Sequence, residues 1–346
     1  MSTDLQPSVA VVILNYNTAN LLERFLPEVL NSTYSNLKVV VADNASEDNS
    51  VQLVQEQFPE VTVIPMKENT GYAGGYNECM QSIDSKYSIL LNTDVSVRSD
   101  WIEPMVELAE RNPQIAAIQP KILDYKEPEL FEYAGASGGF LDRWGYPFCR
   151  GRMFDTLERD TGQYETEIPV FWASGAALFI KTETFHQLGA FDATFFAHME
   201  EIDLCWRIQN DGKEVWVQPQ SVVYHIGGGT LAEGSSRKYY LNYRNNLLLL
   251  LKNLPRKGLW LKIFFRLVLD GVSAVNFLIS GKAQLIPVII KAHWNFFGQI
   301  PRRLKQRKEL EQSPEQKLHG YYHGSIVYQY FLKKKKRFSD IYSVEN

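Results

Sequence analysis

Four short apolar runs limit what this chain can fold into more than any other feature: Val9–Leu14, Leu37–Ala42, Val61–Ile64 and Tyr87–Leu91. Runs this short, bounded by polar and turn residues, read as strands. Helical spacing fills the intervals. Leu22, Phe25, Leu26, Val29 and Leu30 share one face of a helix over Ala19–Leu30, and Asp48–Phe58 and Gly74–Ile83 supply two more helices. Strand–helix alternation predicts a parallel, doubly wound α/β sheet in the first hundred residues. Right-handed crossovers bring the carboxyl ends of its strands to one edge, where open α/β sheets bind ligands. That edge would collect Asn15-Tyr16-Asn17, Asp43-Asn44, Asn69-Thr70-Gly71 and Asn92-Thr93-Asp94.

The chemistry of the four clusters suits a nucleotide. Asp43 and Asn44 can accept from and donate to a base edge or a ribose hydroxyl. Asn69-Thr-Gly-Tyr-Ala-Gly-Gly-Tyr-Asn77 is a glycine-rich turn opening a helix, where backbone N–H groups can approach phosphates. The alternative is that these glycines only cap and turn the chain. Neither GxGxxG after the first strand nor GxxxxGK[ST] is present, which disfavours a dinucleotide fold and an ATP-hydrolysing loop.

Further along, Asp100–Arg111 reads as a helix with Asp100 as its N-cap, and Ile115–Gln119 as a strand. Residues 124–168, rich in Gly, Tyr and charge, read as an insertion over the sheet edge, a flap beside the ligand. In Phe171-Trp172-Ala-Ser174-Gly175-Ala the small side chains leave room, and the run onward to Lys181 is a strand. Thr182–Leu188 is a helix ended by Gly189. The densest acidic group follows, His198-Met-Glu200-Glu201-Ile-Asp203-Leu-Cys-Trp-Arg207. On a helix Glu200, Asp203 and Arg207 share a face and Asp203–Arg207 can pair, while Glu201 points elsewhere. An ion network around the helix start is the alternative reading of these charges. Glu214–Gln218 and Ser221–Tyr224 are strands, the second ending in His225.

As an ordered set, Asn15-Tyr-Asn17, Asp43-Asn-Ala-Ser-Glu-Asp48, Asn69-x-Gly71-x-Ala73-Gly-Gly75-x-Asn77 and Asn92-x-Asp94 resemble the nucleotide-sugar half of family 2 glycosyltransferases, inverting enzymes with the GT-A fold. Glu200-Glu201-Ile-Asp203-Leu-x-x-Arg207 is similar to the family's segment that carries the general base. His225-x-x-Gly228 is similar to its metal-site histidine motif, and Tyr239 to Arg244-Asn245 to its Arg-Asn helix. The resemblance covers about residues 9–252, with a rhamnosyltransferase-like branch as the nearest subgroup. It implies an α/β fold with a mixed sheet flanked by helices. The donor would be a nucleoside-diphosphate sugar, held by Asn15, Asn17, Asp43, Asn44, Asn69, Gly71, Gly75, Asn77, Asn92, Thr93 and Arg244. A divalent cation, Mg²⁺ or Mn²⁺, would lie between Asp94 and His225. Glu201, with Glu200 beside it, would supply the catalytic carboxylate, and Trp172, Ser174 and Gly175 would face the acceptor, a glycan or lipid-linked hydroxyl. Two departures stand out: Asn92 occupies the first position of the DxD-like motif, and Glu201 stands where the family usually has Asp. The implied function is transfer of a sugar in bacterial surface polysaccharide synthesis. The alternatives are a sugar-nucleotide nucleotidyltransferase, for which Leu14–Asn17 offers no basic phosphate loop, and a non-catalytic sugar-nucleotide binder.

The last third changes character. Up to Gly234 the chain has 15 basic and 34 acidic residues, a net charge of −19; from Ser235 on it has 21 and 6, a net charge of +15. Such a basic segment meets something anionic, or is merely solvated. Trp260, Ile263, Phe264, Leu267, Gly271, Ala274 and Leu278 form one apolar helical face opposite Lys262, Arg266 and Asp270. A second apolar segment runs from Leu285 to Ile300. The expectation is a catalytic unit over 1–252 (nucleotide-sugar half 1–123, acceptor half 169–252) and an amphipathic, basic extension over 253–346. The extension would lie on an anionic membrane surface, with no nucleic acid as partner; packing on the catalytic unit or on a second subunit of a homo-oligomer is the alternative. The Lys333–Arg337 run reads as a solvated tail. Cys79, Cys149 and Cys205 form no CxxC pair, and Met1-Ser-Thr-Asp-Leu-Gln-Pro has no apolar core, so a cytoplasmic protein without a signal peptide or spanning helix is expected.

Overall fold

The computed structural model describes residues 6–227, 235–309 and 318–342. The expected N-terminal alternation is present. Strands β1 (Val9–Asn15), β2 (Leu37–Asp43), β3 (Thr62–Pro65) and β4 (Tyr87–Asn92) run parallel in the order β4-β1-β2-β3, with helices α1 (Ala19–Leu30), α2 (Ser50–Gln57) and α3 (Gly71–Cys79) as crossovers. The apolar stripe of α1 is buried: Leu22, Phe25, Leu26 and Val29 are each at most 2% exposed, and burying a side chain of that size is worth about 1.5–3 kcal/mol.

Beyond β4 the sheet becomes mixed. Its further strands are β5 (Val95–Val97), β6 (Ile115–Asp124) and, later in the chain, β11 (Ile168–Pro169), β12 (Ala177–Lys181) and β13 (Glu214–His225). The complete order is β11-β13-β6-β12-β4-β1-β2-β3, with β5 on β13. Antiparallel β12 joins β4 to β6, so the two halves share one continuous sheet. Helix α4 (Glu103–Arg111) starts three residues later than expected. Asp100 is not its N-cap: it is exposed and paired with Arg98, while Ile102 stands before the first turn. The two strands expected over 214–224 are one strand with irregular register near Gln218–Val222, because the break lies in the pairing with β6 and the strand itself continues.

The 124–168 region is not a flap. It folds into a second small sheet, β7 (Gly139–Asp142), β8 (Pro147–Cys149), β9 (Arg152–Met153) and β10 (Thr156–Leu157), extended by β14 (Tyr321–Tyr322) from the far end of the chain. Phe140 and Phe148 pack against Phe338, and Phe140 also meets Tyr342. Aromatic burial gives this segment a core that its turn-rich sequence hides. It also ties down the Lys333–Arg337 run. Lys336 lies over the Tyr330 ring and Phe338 is buried, so the run is a bridge between two anchored aromatics and not a free tail.

After α5 (Thr182–Gln187) and α6 (Glu200–Asn210), three long helices close the molecule: α7 (Ser236–Asn253), α8 (Leu259–Ile279) and α9 (Ile286–Glu309). The polar side of α8 faces inward, opposite to the simple amphipathic expectation. Arg266 and Asp270 are buried and paired, and His293 of α9 and Asn246 of α7 complete the network. Ile263 belongs to this buried side, whereas Trp260, Phe264 and Leu278 are exposed. No helix among the described residues is long and apolar enough to cross a membrane.

Candidate active site

The site forms where β4 and β13 end and β5 begins. The turn Asn92-Thr93-Asp94 links β4 to β5, and antiparallel pairing sets His225 opposite Val95, with Ile226 N–H donating to the Asp94 carbonyl at 3.1 Å. Asp94 Oδ1 and His225 Nε2, 131 positions apart in sequence, thereby come to 3.1 Å. Both side chains are about 6% exposed. On the other side of the ring, His225 Nδ1 lies 3.2 Å from Glu132 Oε1. Burial disfavours the imidazolium, but Glu132 and Asp94 outweigh it and raise the His225 pKa to about 10.

Once the imidazolium gives up its proton, as ligation requires, this donor set fits a divalent cation. Two ligands at about 2.1 Å on adjacent corners of an octahedron are about 3.0 Å apart, close to the observed spacing, and a carboxylate with an imidazole suits Mn²⁺ better than Mg²⁺, which prefers oxygen ligands. Among the described residues no group of three His, Cys, Asp or Glu side chains could hold a metal, so the remaining ligands would come from substrate oxygens and water. Gly228 of the histidine motif lies outside the described residues.

The nucleoside-side residues are tied to one another. Asn15 Nδ2 donates to Asp43 Oδ1 (2.7 Å) and to Ser46 Oγ (3.0 Å), and Asp43 Oδ2 accepts from Ser46 N–H. Thr18 bridges Asn15 and Thr93. Asn17, at φ 55°, accepts from the Glu47 and Asp48 amides and so shapes the loop after β2. Asn44 donates to Asn69 Oδ1 and the Gly71 carbonyl and accepts from Thr70 N–H, which fixes the start of α3. A side chain at Gly71 would sit 2.6 Å from the Phe196 ring, and at Gly75 2.7 Å from Leu14. Glycine is therefore required at Gly71 by both its φ of +77° and this approach. Asn77 points away from that edge, with both ends of its amide bonded to the Phe191 backbone.

The second half meets the first through the loop before α6. Phe196, His198 and Met199 all have positive φ, a strained run leading into the helix. Asn245 holds that loop through the Phe195, Ala197 and His198 carbonyls, and Arg244 through those of Thr194 and Phe195. Arg244 thus braces the loop in this structure. The first turn of α6 presents Glu200 and Glu201, each with an Oε2 atom that is buried and without a protein partner among the described residues, as is His198 Nε2. Burial raises both carboxyl pKa values, and repulsion from Glu201 adds to the rise at Glu200. His198, also buried, is pushed down to about 4 and stays neutral. Asp203 behaves oppositely: despite burial, Lys252 and Arg207 hold its carboxyl below the usual range, and Asn253 donates to it. Asp203→Ala would leave Lys252 and Arg207 uncompensated and is expected to cost about 3–5 kcal/mol, read as a lower denaturant midpoint.

Of the acceptor-side candidates, Trp172 is corrected. Its indole is 3% exposed, lies on Gly139 and donates to the Phe140 carbonyl at 2.9 Å, so it joins the two sheets and does not line an open wall. Ser174 is buried and anchored by Gln119 at its amide. Gly175 is better placed: its carbonyl accepts from Tyr72 OH (2.6 Å), whose hydroxyl lies in the field of Glu200 and Glu201, and the next carbonyl, of Ala176, accepts from Asn92 N–H. Tyr72, His198 and Glu132 were not legible as site residues. Tyr72 sits in a motif read for its glycines, and Glu132 is a lone acid in a turn-rich stretch.

Comparison with known proteins shows the family and the fold. Residues 10–173 match the model of "Glycosyl transferase family 2". An N-acetylglucosaminyl-diphospho-decaprenol L-rhamnosyltransferase of Mycobacterium tuberculosis is 30% identical over 247 residues, 66% of this chain and 78% of that protein. Among solved structures, a mannosyltransferase of Pyrobaculum calidifontis in complex with GDP-Man and Mn²⁺ superposes with a TM-score of 0.54 at 16% identity, covering 85% of this chain and 88% of that one. TarS residues 1–349 of S. aureus superpose at 0.55 and 12% identity, covering 87% and 83%. The chain belongs to glycosyltransferase family 2, in its rhamnosyltransferase-like branch, and its fold is GT-A.

Proposed function

We propose that this nucleotide-sugar glycosyltransferase inverts the anomeric centre as it moves a hexose onto a hydroxyl of a glycan or lipid-linked acceptor. The observation that carries the reading is the 3.1 Å approach of Asp94 to His225 at the carboxyl edge of the sheet. Asp94 and His225 would hold a divalent cation, which when bound neutralises charge on the departing diphosphate. Asp43, with Asn15, Asn17 and Asn44, shapes the nucleoside end. The α3 turn from Asn69 through Gly71 and Gly75 has its Thr70, Gly71 and Ala73 N–H groups donated to Asn44, Asn69 and Phe196, so it borders the phosphates through its close backbone and the positive end of the helix dipole, with Asn92 and Thr93 nearby. Asn77 and Arg244 act on this site through the loop they brace. Glu201 takes the acceptor proton, and Glu200, whose carboxyl burial and the Glu201 charge push up, lies beside it. Ser174 and Gly175 border the acceptor side. The M. tuberculosis relative's name, which joins L-rhamnose to a decaprenol-diphosphate-linked sugar, supports a deoxyhexose donor and a polyprenol-linked acceptor.

The test is a panel of UDP-, dTDP- and GDP-sugars with Mn²⁺ or Mg²⁺ and a lipid-diphosphate-linked acceptor. One donor should release nucleoside diphosphate and give a product of opposite anomeric configuration by NMR. Pyrophosphate release, or retention of configuration, would overturn the reading.

Residues 253–346 then serve as a docking extension for the catalytic unit over 1–252, on the inner face of an anionic membrane. Trp260, Phe264, Leu278, Ile279, Ile290 and Trp294 are all more than half exposed along α8 and α9. Arg256, Lys257, Lys282, Lys291, Arg302 and Lys305 are exposed around them, and the only acid between residues 256 and 305, Asp270, is buried. An apolar face rimmed by one sign of charge complements an anionic lipid surface. Removing the whole extension would also remove β14, so point changes are the better probe. Leu278→Glu with Trp294→Glu should weaken cosedimentation with phosphatidylglycerol vesicles about tenfold or more at an unchanged thermal midpoint. Unaltered sedimentation, or concentration-dependent dimers without lipid, would favour a protein partner.

A further inference from the structure

We propose that Glu132 is a positioning residue for His225: it favours the ring orientation and the tautomer in which Nε2 can ligate a cation beside Asp94. The inference rests on the metal reading above. An imidazole that ligates through Nε2 carries its proton on Nδ1, and a buried N–H needs an acceptor. His225 Nδ1 makes no aligned hydrogen bond, but Glu132 Oε1 lies 3.2 Å from it, so a small turn of the ring brings the two into one. Both side chains are about 6% exposed, so water is a poor substitute.

Glu132 is itself held for this task. Its amide donates to the Ile122 carbonyl at 3.0 Å, and the Phe131 amide before it donates to the Glu158 carbonyl at 3.0 Å, which ties the segment to β6 and to the chain just past β10. The Ala134 amide donates to Glu132 Oε2, leaving Oε1 toward the imidazole. The histidine's own backbone is fixed from the same segment, since Tyr125 N–H donates to its carbonyl at 3.0 Å. A Cβ on Gly227 would lie 3.3 Å from Glu132 Oε1, so the chain leaving His225 passes close over the carboxylate. Carboxylates that accept from the second nitrogen of a ligating histidine orient the ring and raise its basicity. The competing explanation is that Glu132 only balances Arg152, whose charge it also feels.

The experiment titrates Mn²⁺ by EPR in the presence of UDP, dTDP or GDP, whichever most stabilises the wild type in thermal shift. The proteins are wild type, Glu132→Ala, Glu132→Gln, His225→Ala and the Glu132→Gln/His225→Ala double variant. Glu132→Ala should weaken Mn²⁺ binding about 10–100-fold. Glu132→Gln, which still offers a carbonyl acceptor, should fall between it and wild type. In the His225→Ala background Glu132→Gln should add nothing, because its effect runs through the missing ring. Unchanged affinity in Glu132→Gln and Glu132→Ala, or a full additive loss in the double variant, overturns the positioning role while the metal reading stands. Should Glu132→Ala fail to fold, the glutamine pair decides alone. A wild type that binds no Mn²⁺, or a His225→Ala variant that binds it equally well, overturns the metal reading and this inference with it.

Discussion

Asp94→Ala is expected to cost about 10²–10³-fold or more in donor turnover, since a divalent cation at a leaving diphosphate is worth several kcal/mol and each 1.36 kcal/mol is tenfold. The loss should match that of the wild type in excess chelator, and chelator should do nothing further to the variant. Asp94→Asn separates charge from shape: it keeps the turn that carries the Asp94 carbonyl to Ile226 N–H but removes the anionic ligand. It should bind nucleoside diphosphate weakly and without dependence on Mn²⁺. The thermal midpoint of both variants is read alongside, because Asp94 also sits in the buried ion cluster with His225 and its removal lowers stability too; turnover is compared below the lower midpoint. Initial rates of nucleoside diphosphate release across a Mn²⁺ titration make the measurement. Chelator-insensitive turnover in the wild type would end the metal assignment.

Much of this arrangement was legible because the residues involved obey local rules. Each N-terminal strand is short, apolar and followed by a polar turn, and each crossover helix repeats at helical period. The order β4-β1-β2-β3 follows once the crossovers are right-handed. Convergence of Asp94 with His225 could be expected only from the order of motifs, because nothing local in either segment specifies the β5–β13 pairing that produces it. Where local rules fail, long-range contacts decide. Residues 139–157 look like loop because their strands have two to four residues each; they become a sheet by stacking aromatics against Phe338 and pairing with Tyr321–Tyr322. The α8 helix obeys its period, yet the sequence could not say which side is inner, since the partners that receive the Arg266–Asp270 pair, Asn246 and His293, lie on other helices. Glu132 is the hardest case: its meaning exists only through a ring 93 positions away.

Glu201→Gln is the second large effect. Glutamine keeps the side chain's shape but accepts no proton at neutral pH, and removal of a general base costs about 10²–10⁴-fold. Donor binding should survive, because none of the residues around Asp43, Asn69–Asn77 or the Asp94–His225 pair bonds to Glu201 through its side chain. A thermal shift with donor and Mn²⁺ equal to that of wild type, with transfer lost, is therefore the expected pair of results. Glu201→Asp should lose less, since it restores a base one methylene shorter. The pH profile gives an independent check. Burial raises the Glu201 pKa, and the base works only when ionised, so wild-type kcat/KM should fall as pH drops through a value above the ordinary carboxylate range. Glu200 sharpens this, because two buried carboxyl groups in adjacent positions resist carrying two charges, and repulsion from Glu201 lifts Glu200 beyond what burial does. In Glu201→Gln that limb should vanish from the residual rate. Full transfer by this variant, with the acid limb intact, would move the base to another residue, and His198, buried and neutral with an unpartnered Nε2, would be the first to examine.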